Sequence, residues 1–194
     1  MRKLVVVEFL SLDGVMQAPG GPEEDTEGGF RHGGWSMPYG DEVMGQAAAE
    51  GMAATDAQLF GRKTYEIMAA YWPHQPAENP FARHLNSVEK YVVSTTLRQA
   101  DWQKTTIIDG DVAERVTKLK EQPGKNISVL GSGELVQTLI ANDLVDEYSL
   151  TMYPIVLGSG KKLFRESDQT RKLKLVDSKP TTTGGLMLTY RPER

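Results

Sequence analysis

The stretch from Ile127 to Ile140 constrains the fold of this chain more than any other. Its first four residues, Ile-Ser-Val-Leu, are mostly apolar and β-favouring, and they run into Gly131-Ser132-Gly133. An apolar stripe with helical spacing follows at Leu135, Val136, Leu139 and Ile140. This order predicts a buried strand, a tight glycine turn and a helix whose first turn begins at the glycines.

A junction of this kind directs unpaired backbone N–H groups and the positive end of the helix dipole to one point, which suits a phosphate or pyrophosphate. Glycine is favoured there because a Cβ would obstruct both the turn and the close approach of a ligand. The third glycine of a dinucleotide-binding fingerprint is missing, since residue 136 is Val. An ordinary strand-to-helix turn is therefore the alternative interpretation.

A second junction of the same type follows the short predicted strand Ala57–Gly61. Arg62, Lys63 and Thr64 open the next helix, so two cations and a hydroxyl stand at its start. Basic side chains at a helix N-terminus oppose the dipole, and a bound phosphate monoester would neutralise them. The alternative is an exposed basic pair without a ligand.

Composition and charge exclude several classes of function. The net charge is −4 and no cluster of Lys or Arg stands out, which disfavours a nucleic-acid or membrane-surface partner. Without cysteine there is no disulfide or thiolate site, and the three histidines lack metal-ligand spacing, so no metal is expected. The apolar N-terminal run is interrupted by Glu8 and is too short for a signal sequence, which favours a cytoplasmic location.

The first half of the chain supplies one further strand and one long loop. Lys3–Leu10 has the valine-rich pattern of a strand buried on both faces, and it ends in a turn at Asp13-Gly14. Residues 18–34 are rich in Gly, Pro and acidic side chains, which predicts a long flexible loop, either a lid over a ligand or a disordered insertion. A helix is expected to begin near Asp41, and Asp41 itself fits either a first-turn residue or the cap of this helix.

The last part of the chain has a different pattern. Three segments with partial alternation, Val145–Tyr153, Leu173–Ser178 and Leu186–Arg191, have no helix between them and predict antiparallel strands that close the sheet. The turn Gly158-Ser-Gly160-Lys161 is not a P-loop, because residue 155 is Ile rather than Gly. No linker or repeat divides the chain, so residues 1–194 are expected to form a single domain.

Five motifs, taken in order, resemble the dihydrofolate reductase fold. They are Ser-Leu-Asp13-Gly14, Trp35-x-x-Pro38, Phe60-Gly61-Arg62-Lys63-Thr64-Tyr65, Ser94-Thr95 and Val129-Leu-Gly131-Ser-Gly133. The later run from Tyr148 to Phe164 resembles the branch that contains the reductase domain of the riboflavin-biosynthesis deaminase–reductase. The resemblance covers nearly the whole chain. It implies an α/β, three-layer fold with a mixed, mostly parallel central sheet, helices on both faces and antiparallel C-terminal strands.

The resemblance also implies NADPH as cofactor. Its adenosine 2′-phosphate and pyrophosphate would lie beside Gly61, Arg62, Lys63 and Thr64, with Ser94 and Thr95 near the 2′-phosphate. The backbone of Gly131, Ser132, Gly133, Glu134 and Leu135 would hold the pyrophosphate. In the family a cis peptide joins the glycine pair at this turn, which would here be the Gly131–Ser132 bond. The loop over residues 18–34 corresponds to the family's mobile loop.

One departure bears on the substrate. Folate-reducing members carry an acid two positions after the proline of the Trp-x-x-Pro motif, where this chain has Gly40. Asp41 comes one residue later, and one residue turns a helix by about 100°, so dihydrofolate is not the expected substrate. Asp41, Asp13 and Thr151 are the predicted catalytic residues, each a candidate proton source, directly or through a water.

The predicted function is therefore an NADPH-dependent reductase that transfers hydride to a C=N or C=O bond of a small polar substrate. A riboflavin-pathway-like compound, heterocyclic or phosphorylated, fits better than a folate. The family further implies a homodimer. Two alternatives stay open: a non-catalytic NADP(H)- or nucleotide-binding module of the same fold, and a nucleoside-phosphate-binding protein without a redox role.

Overall fold

The computed structural model of the chain describes residues 1–193. Within them, eight strands and five α-helices follow one another in this order: β1 Leu4–Ser11, α1 Glu42–Ala53, β2 Thr55–Gly61, α2 Arg62–Tyr71, α3 Pro80–Ser87, β3 Glu89–Val93, β4 Thr105–Ile108, α4 Val112–Glu121, β5 Asn126–Leu130, α5 Gly133–Ala141, β6 Glu147–Tyr153, β7 Leu173–Pro180 and β8 Leu186–Pro192. Three short 3-10 turns lie at Glu27–Gly29, Met37–Tyr39 and Trp72–His74.

The strands form one sheet in the order β4-β3-β2-β5-β1-β6-β8-β7. Strand β2 pairs in parallel with β3 and β5, and β3 pairs in parallel with β4. Strand β8 runs antiparallel to both β6 and β7. The predicted fold class, a mostly parallel α/β sheet with antiparallel C-terminal strands, is confirmed.

The chain contacts group into two compact units. The first unit comprises Met1–Val5 and Glu50–Val145, and the second comprises Val6–Ala49 and Asp146–Arg194. The single domain over residues 1–194 stays a prediction.

In the first unit, the central strands β2 and β5 are largely buried on both faces. On one face an apolar cluster joins β2 and β3 to α2, α3 and the connection before β4 through Phe60, Val92, Tyr65, Leu85 and Trp102. On the other face, Leu59, Ile127 and Val129 are 0% exposed. Strands that are apolar on both sides explain the continuous hydrophobic runs in the sequence.

A buried polar row crosses the first unit beside this apolar cluster. The strand register places Thr105, Lys90, Gln58 and Ser128 side by side on β4, β3, β2 and β5, so their side chains share one face. Lys90 is 0% exposed, and its Nζ donates hydrogen bonds of 2.8 Å to the carbonyls of Leu85 and Val88 at the end of α3. The Lys90 ammonium also lies 4.8 Å from the centre of the Trp102 ring. Burial lowers the pKa of Lys90 to about 8.

Helix α3 differs from what the sequence favours, since the two prolines within Gln75–Pro80 are typical of a loop. The helix begins at Pro80, where the fixed φ of proline suits the first helical position. Asn79 precedes it and accepts hydrogen bonds from the N–H groups of Phe81 and Ala82. The Asn-Pro pair was thus the signal of a helix start, and not of a break.

In the second unit, an aromatic cluster forms the core. Tyr153 contacts Phe9, Trp35 and Tyr39, with ring centroids 5.5–5.8 Å apart. Phe30, from the predicted flexible loop, is buried in the same cluster. The loop over residues 18–34 therefore contributes to the core, although it contains no strand or α-helix.

Lys161 and Gln17 attach this loop to the turn that follows β6. The Nζ of Lys161 lies 2.6 Å from carboxylate oxygens of both Asp25 and Glu27. Gln17 donates to the carbonyls of Asp25 and Glu27, and its Oε1 accepts the N–H of Lys161. The loop over residues 18–34 is therefore ordered by specific partners, which contradicts the predicted flexible loop and the disordered insertion. Its role as a lid stays a prediction.

No helix within residues 1–193 has the length and apolar character needed to cross a bilayer. The cytoplasmic location and the homodimer stay predictions.

Because Lys90 is buried, the free energy of unfolding should increase with pH in the alkaline range. In the unfolded chain this lysine loses its proton near pH 10.5, and in the fold near pH 8. Between these values the unfolded state binds more protons, so the free energy of unfolding should rise with pH. Relative to Lys90→Met, the wild type should gain about 1–3 kcal/mol from pH 8 to 10.5, measured by urea unfolding.

Lys118→Met removes an exposed lysine of α4 and controls for the loss of one positive charge. If the free energies of unfolding of the wild type and Lys90→Met changed by the same amount from pH 8 to 10.5, this account of Lys90 would be contradicted.

Candidate functional site

Three strand ends lie side by side at one edge of the first unit. The parallel register pairs Gly61 at the end of β2 with Val93, the last residue of β3, so Ser94 follows next to Gly61. On the other side of β2, Gln58 pairs with Ser128, which brings the end of β5 and Gly131 to the same edge. Parallel strands necessarily present their carboxyl ends together.

The two strand–glycine–helix junctions contact each other directly. The N–H of Gly61 donates a 2.9 Å hydrogen bond to the Oγ of Ser132. A Cβ built on Gly131 would lie 3.4 Å from the Cγ2 of Thr64. The structure thus brings together the residues for which the sequence predicted a common phosphate site.

The helices at these junctions begin without side-chain caps. Helices α1, α3 and α4 are capped by Asp41, Asn79 and Asp111, whose side-chain oxygens accept first-turn N–H groups. In contrast, Gly61 and Ser132, the N-cap residues of α2 and α5, make no side-chain cap hydrogen bond. The absence of a side-chain cap distinguishes α2 and α5 from these three helices, and an uncapped helix start is the arrangement that binds phosphate at helix N-termini.

The cis peptide that the family resemblance implies between Gly131 and Ser132 is not found, and this bond is trans. Residues 1–193 contain no cis peptide bond. Instead, Gly131 and Ser132 both adopt left-handed backbone conformations, with φ of 62° and 69°. Two successive left-handed residues turn the chain from β5 into α5 with trans peptides throughout.

Gly61 has an ordinary conformation, unlike Gly131. Its φ and ψ are −75° and 160°, which any residue adopts. A Cβ at this position would have its nearest neighbours at 3.6 Å, an ordinary contact distance. Neither the backbone nor the packing requires glycine here, and a Cβ would lie against the side chains of Ser132 and Leu135 at the start of α5.

The basic residues of the second junction are exposed. Arg62 forms a salt bridge with Glu66, one turn along α2, with N–O distances of 3.0 and 3.1 Å. Lys63 is exposed and Thr64 is half-buried. The pair with Glu66 supplies a local partner for Arg62, in addition to any bound phosphate.

The hydroxyl of Ser94 is engaged in its own turn. Its Oγ accepts the N–H groups of Thr96 and Leu97 at 3.2 and 2.9 Å. Thr95 is exposed beside it. A hydroxyl at this position can therefore serve the turn, the role that hydroxyl residues often have at strand ends.

Asp13, a predicted catalytic residue, lies in the second unit within a dense set of hydrogen bonds. Its carboxylate accepts the hydroxyl of Ser11 and the N–H groups of Leu157 and Gly158. These donors, the Ser11 hydroxyl above all, lower the pKa of Asp13 to about 2. Asp13 therefore holds two turns together as an anion, and this charge state disfavours it as a proton donor.

Asp41, also in the second unit, precedes α1 as its cap. One carboxylate oxygen accepts the N–H of Met44, and the other accepts the N–H and hydroxyl of Thr182. The Met44 bond and the Thr182 bonds lower the pKa of Asp41. Thr151 is buried in β6. The catalytic roles of Asp13, Asp41 and Thr151 stay predictions, with the two aspartates ionised.

Glu8 is an acid of the second unit that sequence reasoning passed over as a mere interruption of β1. It is 4% exposed, and its Oε1 has no hydrogen-bond partner. Burial, followed by the nearby charge of Glu24, raises the pKa of Glu8 well above its usual range. A carboxyl placed alone in an apolar strand was the available signal, because such a group keeps its proton.

The fold is similar to that of solved proteins of the dihydrofolate reductase class. A Shewanella sp. PV-4 protein named for riboflavin biosynthesis matches with a TM-score of 0.75 and 22% identity over 99% of both chains. Enterococcus faecalis dihydrofolate reductase, solved with NADP(H), matches with a TM-score of 0.61 and 17% identity over 99% of this chain and 97% of its own. A pyrimidine reductase-like protein of Corynebacterium diphtheriae matches with a TM-score of 0.64 and 15% identity over 100% of this chain and 92% of its own.

The family follows from the sequence match. The model of the RibD C-terminal domain matches residues 2–187, and the chain belongs to this family. Two Bacillus subtilis relatives, both named as uncharacterized proteins, are also similar. YyaP is 36% identical over 138 residues, covering 70% of this chain and 73% of YyaP. YwjB is 28% identical over 181 residues, covering 92% of this chain and 91% of YwjB. The predicted resemblance is confirmed.

The buried Glu8 should lower stability as the pH rises above its unfolded pKa. The unfolded chain releases this proton near pH 4.5, while the folded protein keeps it to higher pH. The folded state then binds more protons, so the free energy of unfolding falls with pH. Glu8→Gln, neutral at every pH, should therefore become more stable relative to the wild type as the pH rises from 4.5 to 7, measured by urea unfolding.

Glu23→Gln, at an exposed position of the same unit, controls for the loss of one carboxylate. A difference in the free energy of unfolding between the wild type and Glu8→Gln that did not change with pH would contradict this account. It would mean that Glu8 has the same pKa in the folded and unfolded states.

Proposed function

We propose that this protein is an NADPH-dependent reductase that transfers hydride to a C=N or C=O bond of a small polar substrate. A heterocyclic or phosphorylated compound of the riboflavin-pathway type fits the family better than a folate. Support comes from the family, from neighbours named as reductases, and from a dihydrofolate reductase neighbour solved with NADP(H).

The observation that carries the proposal is the pair of uncapped helix starts in the first unit. We call the first turns of α2 and α5, with Gly61 and Gly131 before them, the phosphate cradle. Two sets of backbone N–H groups and two helix dipoles converge there, joined by the 2.9 Å bond from Gly61 to Ser132. A pyrophosphate, with two adjacent negative groups, matches this arrangement better than a single phosphate.

Selectivity for NADPH over NADH would come from Arg62 and Lys63 through the 2′-phosphate. Arg62 would exchange Glu66 for that phosphate, which costs little because exposed pairs one helical turn apart are weak. A doubly charged phosphate is the better partner for a guanidinium. Ser94 and Thr95 end the neighbouring strand and stand on the same edge.

The cofactor would supply the hydride, while the chain binds and orients it. The reaction also requires a proton, and the hydrogen bonds of Asp13 and Asp41 favour their ionised forms. A water held by Thr151 and the protonated Glu8 are the remaining candidate sources in the second unit. The same observation favours the second candidate function, a non-catalytic NADP(H)-binding module without a proton donor.

Nucleotide titration separates these functions. NADPH should bind more tightly than NADH, followed by nucleotide fluorescence, and Arg62→Ala should weaken NADPH about tenfold or more while leaving NADH nearly unchanged. Equal losses for both nucleotides would refute the 2′-phosphate assignment.

Binding of ATP alone would favour a nucleoside-phosphate-binding protein. NADPH oxidation with carbonyl and imine compounds then distinguishes a reductase from a silent module.

Gly61→Ala tests whether the cradle is a binding site without disturbing the fold. Because the conformation and the space at Gly61 accept a Cβ, the free energy of unfolding should stay level or rise by about 0.4–1 kcal/mol. The added methyl would project into the ligand's approach, so NADPH affinity should fall at least about tenfold.

Gly51→Ala is the matched control, since a Cβ at Gly51 in α1 has nothing within 4 Å. It should stabilise the helix by about 1 kcal/mol and leave NADPH affinity unchanged. Full NADPH affinity in Gly61→Ala would mean that the ligand does not approach the start of α2.

A further inference from the structure

We infer that Ser132 is a positioning residue whose hydroxyl holds the phosphate cradle in its binding geometry before a ligand arrives. The inference rests on the proposed cofactor site and assigns it a supporting side chain. Its basis is one contact between residues 71 positions apart, the bond from the Gly61 N–H to the Ser132 Oγ.

This hydroxyl is used in an unusual direction for an N-cap serine. Such a serine ordinarily accepts an N–H from the first turn of its own helix. Ser132 makes no cap bond to α5 and instead accepts the N–H of Gly61, the N-cap residue of α2. The starts of two helices are thereby linked, and α5 begins without a side-chain cap.

Backbone preference does not account for a serine at this position. Ser132 has φ 69° and ψ 50°, the left-handed region that glycine enters freely and a residue with a Cβ does not. Glycine would suit the turn better on conformational grounds. The bond to Gly61 is the contact that offsets this cost, and it requires the hydroxyl.

A second contact between the two junctions involves a side chain of α2 and the glycine that precedes α5. The side chain of Thr64, in the first turn of α2, lies against Gly131, where a Cβ would come within 3.4 Å of its Cγ2 and 3.6 Å of its Oγ1. The glycine of each junction thus faces a hydroxyl-bearing residue of the other. The distance between the two helix starts is set by both pairs.

A cradle ordered in advance lowers the entropic cost of binding. The pyrophosphate is common to NADPH and NADH, so losing the Ser132 hydroxyl should weaken both nucleotides by the same factor. One neutral hydrogen bond corresponds to about a tenfold change in affinity. This equal loss differs from the effect of Arg62→Ala, which should fall on NADPH alone.

The test compares Ser132→Ala and Ser132→Gly with the wild type. In the unliganded protein, amide hydrogen exchange of Gly61, measured by NMR, should accelerate at least about tenfold in both variants, because its acceptor is gone. Affinities for NADPH and NADH, measured by titration, should fall about tenfold and in parallel. Ser132→Gly should be the more stable of the two variants, because it removes the left-handed strain along with the hydroxyl.

Asp143→Gly is the matched control for backbone strain. Asp143 also has a positive φ, 52°, at the end of α5 away from the cradle. This variant should leave both Gly61 exchange and nucleotide affinity unchanged.

Two outcomes would overturn the role of Ser132: unchanged Gly61 exchange, or faster exchange with unaltered affinities. A loss confined to NADPH would also overturn it, since the hydroxyl would then act at the 2′-phosphate. Failure of the wild type to bind either nucleotide would refute the proposed function instead, and the exchange of Gly61 would still show whether the hydroxyl links the two helices.

Discussion

Parallel pairing of β2 with β3 on one side and with β5 on the other is the constraint on which the candidate site depends. It forces the ends of the three strands to one edge, so residues from three separate parts of the sequence meet there. The turn after each strand then decides what the edge presents. At β2 and β5 the turn is short and leads directly into a helix that has no side-chain cap.

Helix caps distinguish these two junctions from the other helix starts. Asp41, Asn79 and Asp111 accept first-turn N–H groups of α1, α3 and α4. At the start of α5 the hydroxyl that could have done so bonds to the other junction instead. A side-chain oxygen beside a helix start can thus cap its own helix or, as at Ser132, bond to a different element.

Two buried ionisable side chains show how the fold treats charge away from this edge. Lys90 is surrounded by two carbonyl oxygens and the face of Trp102, which stabilise its ammonium in part. Glu8 has an oxygen without a partner and a second acid near it, so its neutral form is favoured. Burial alone shifts both pKa values toward the uncharged form, and the neighbours decide how far.

The sequence by itself determined the first strand, both glycine junctions, the three C-terminal strands and the family, because strand and helix periodicity and turn residues are local properties. Its local reading was wrong at Asn79-Pro80, where a cap and a first helical residue together look like a loop. Only the tertiary structure decided that Ser132 bonds to Gly61, that Asp13 and Asp41 are held as anions, and that Glu8 is isolated. These properties depend on which distant groups come within hydrogen-bonding distance, and periodicity along the chain carries no information about that.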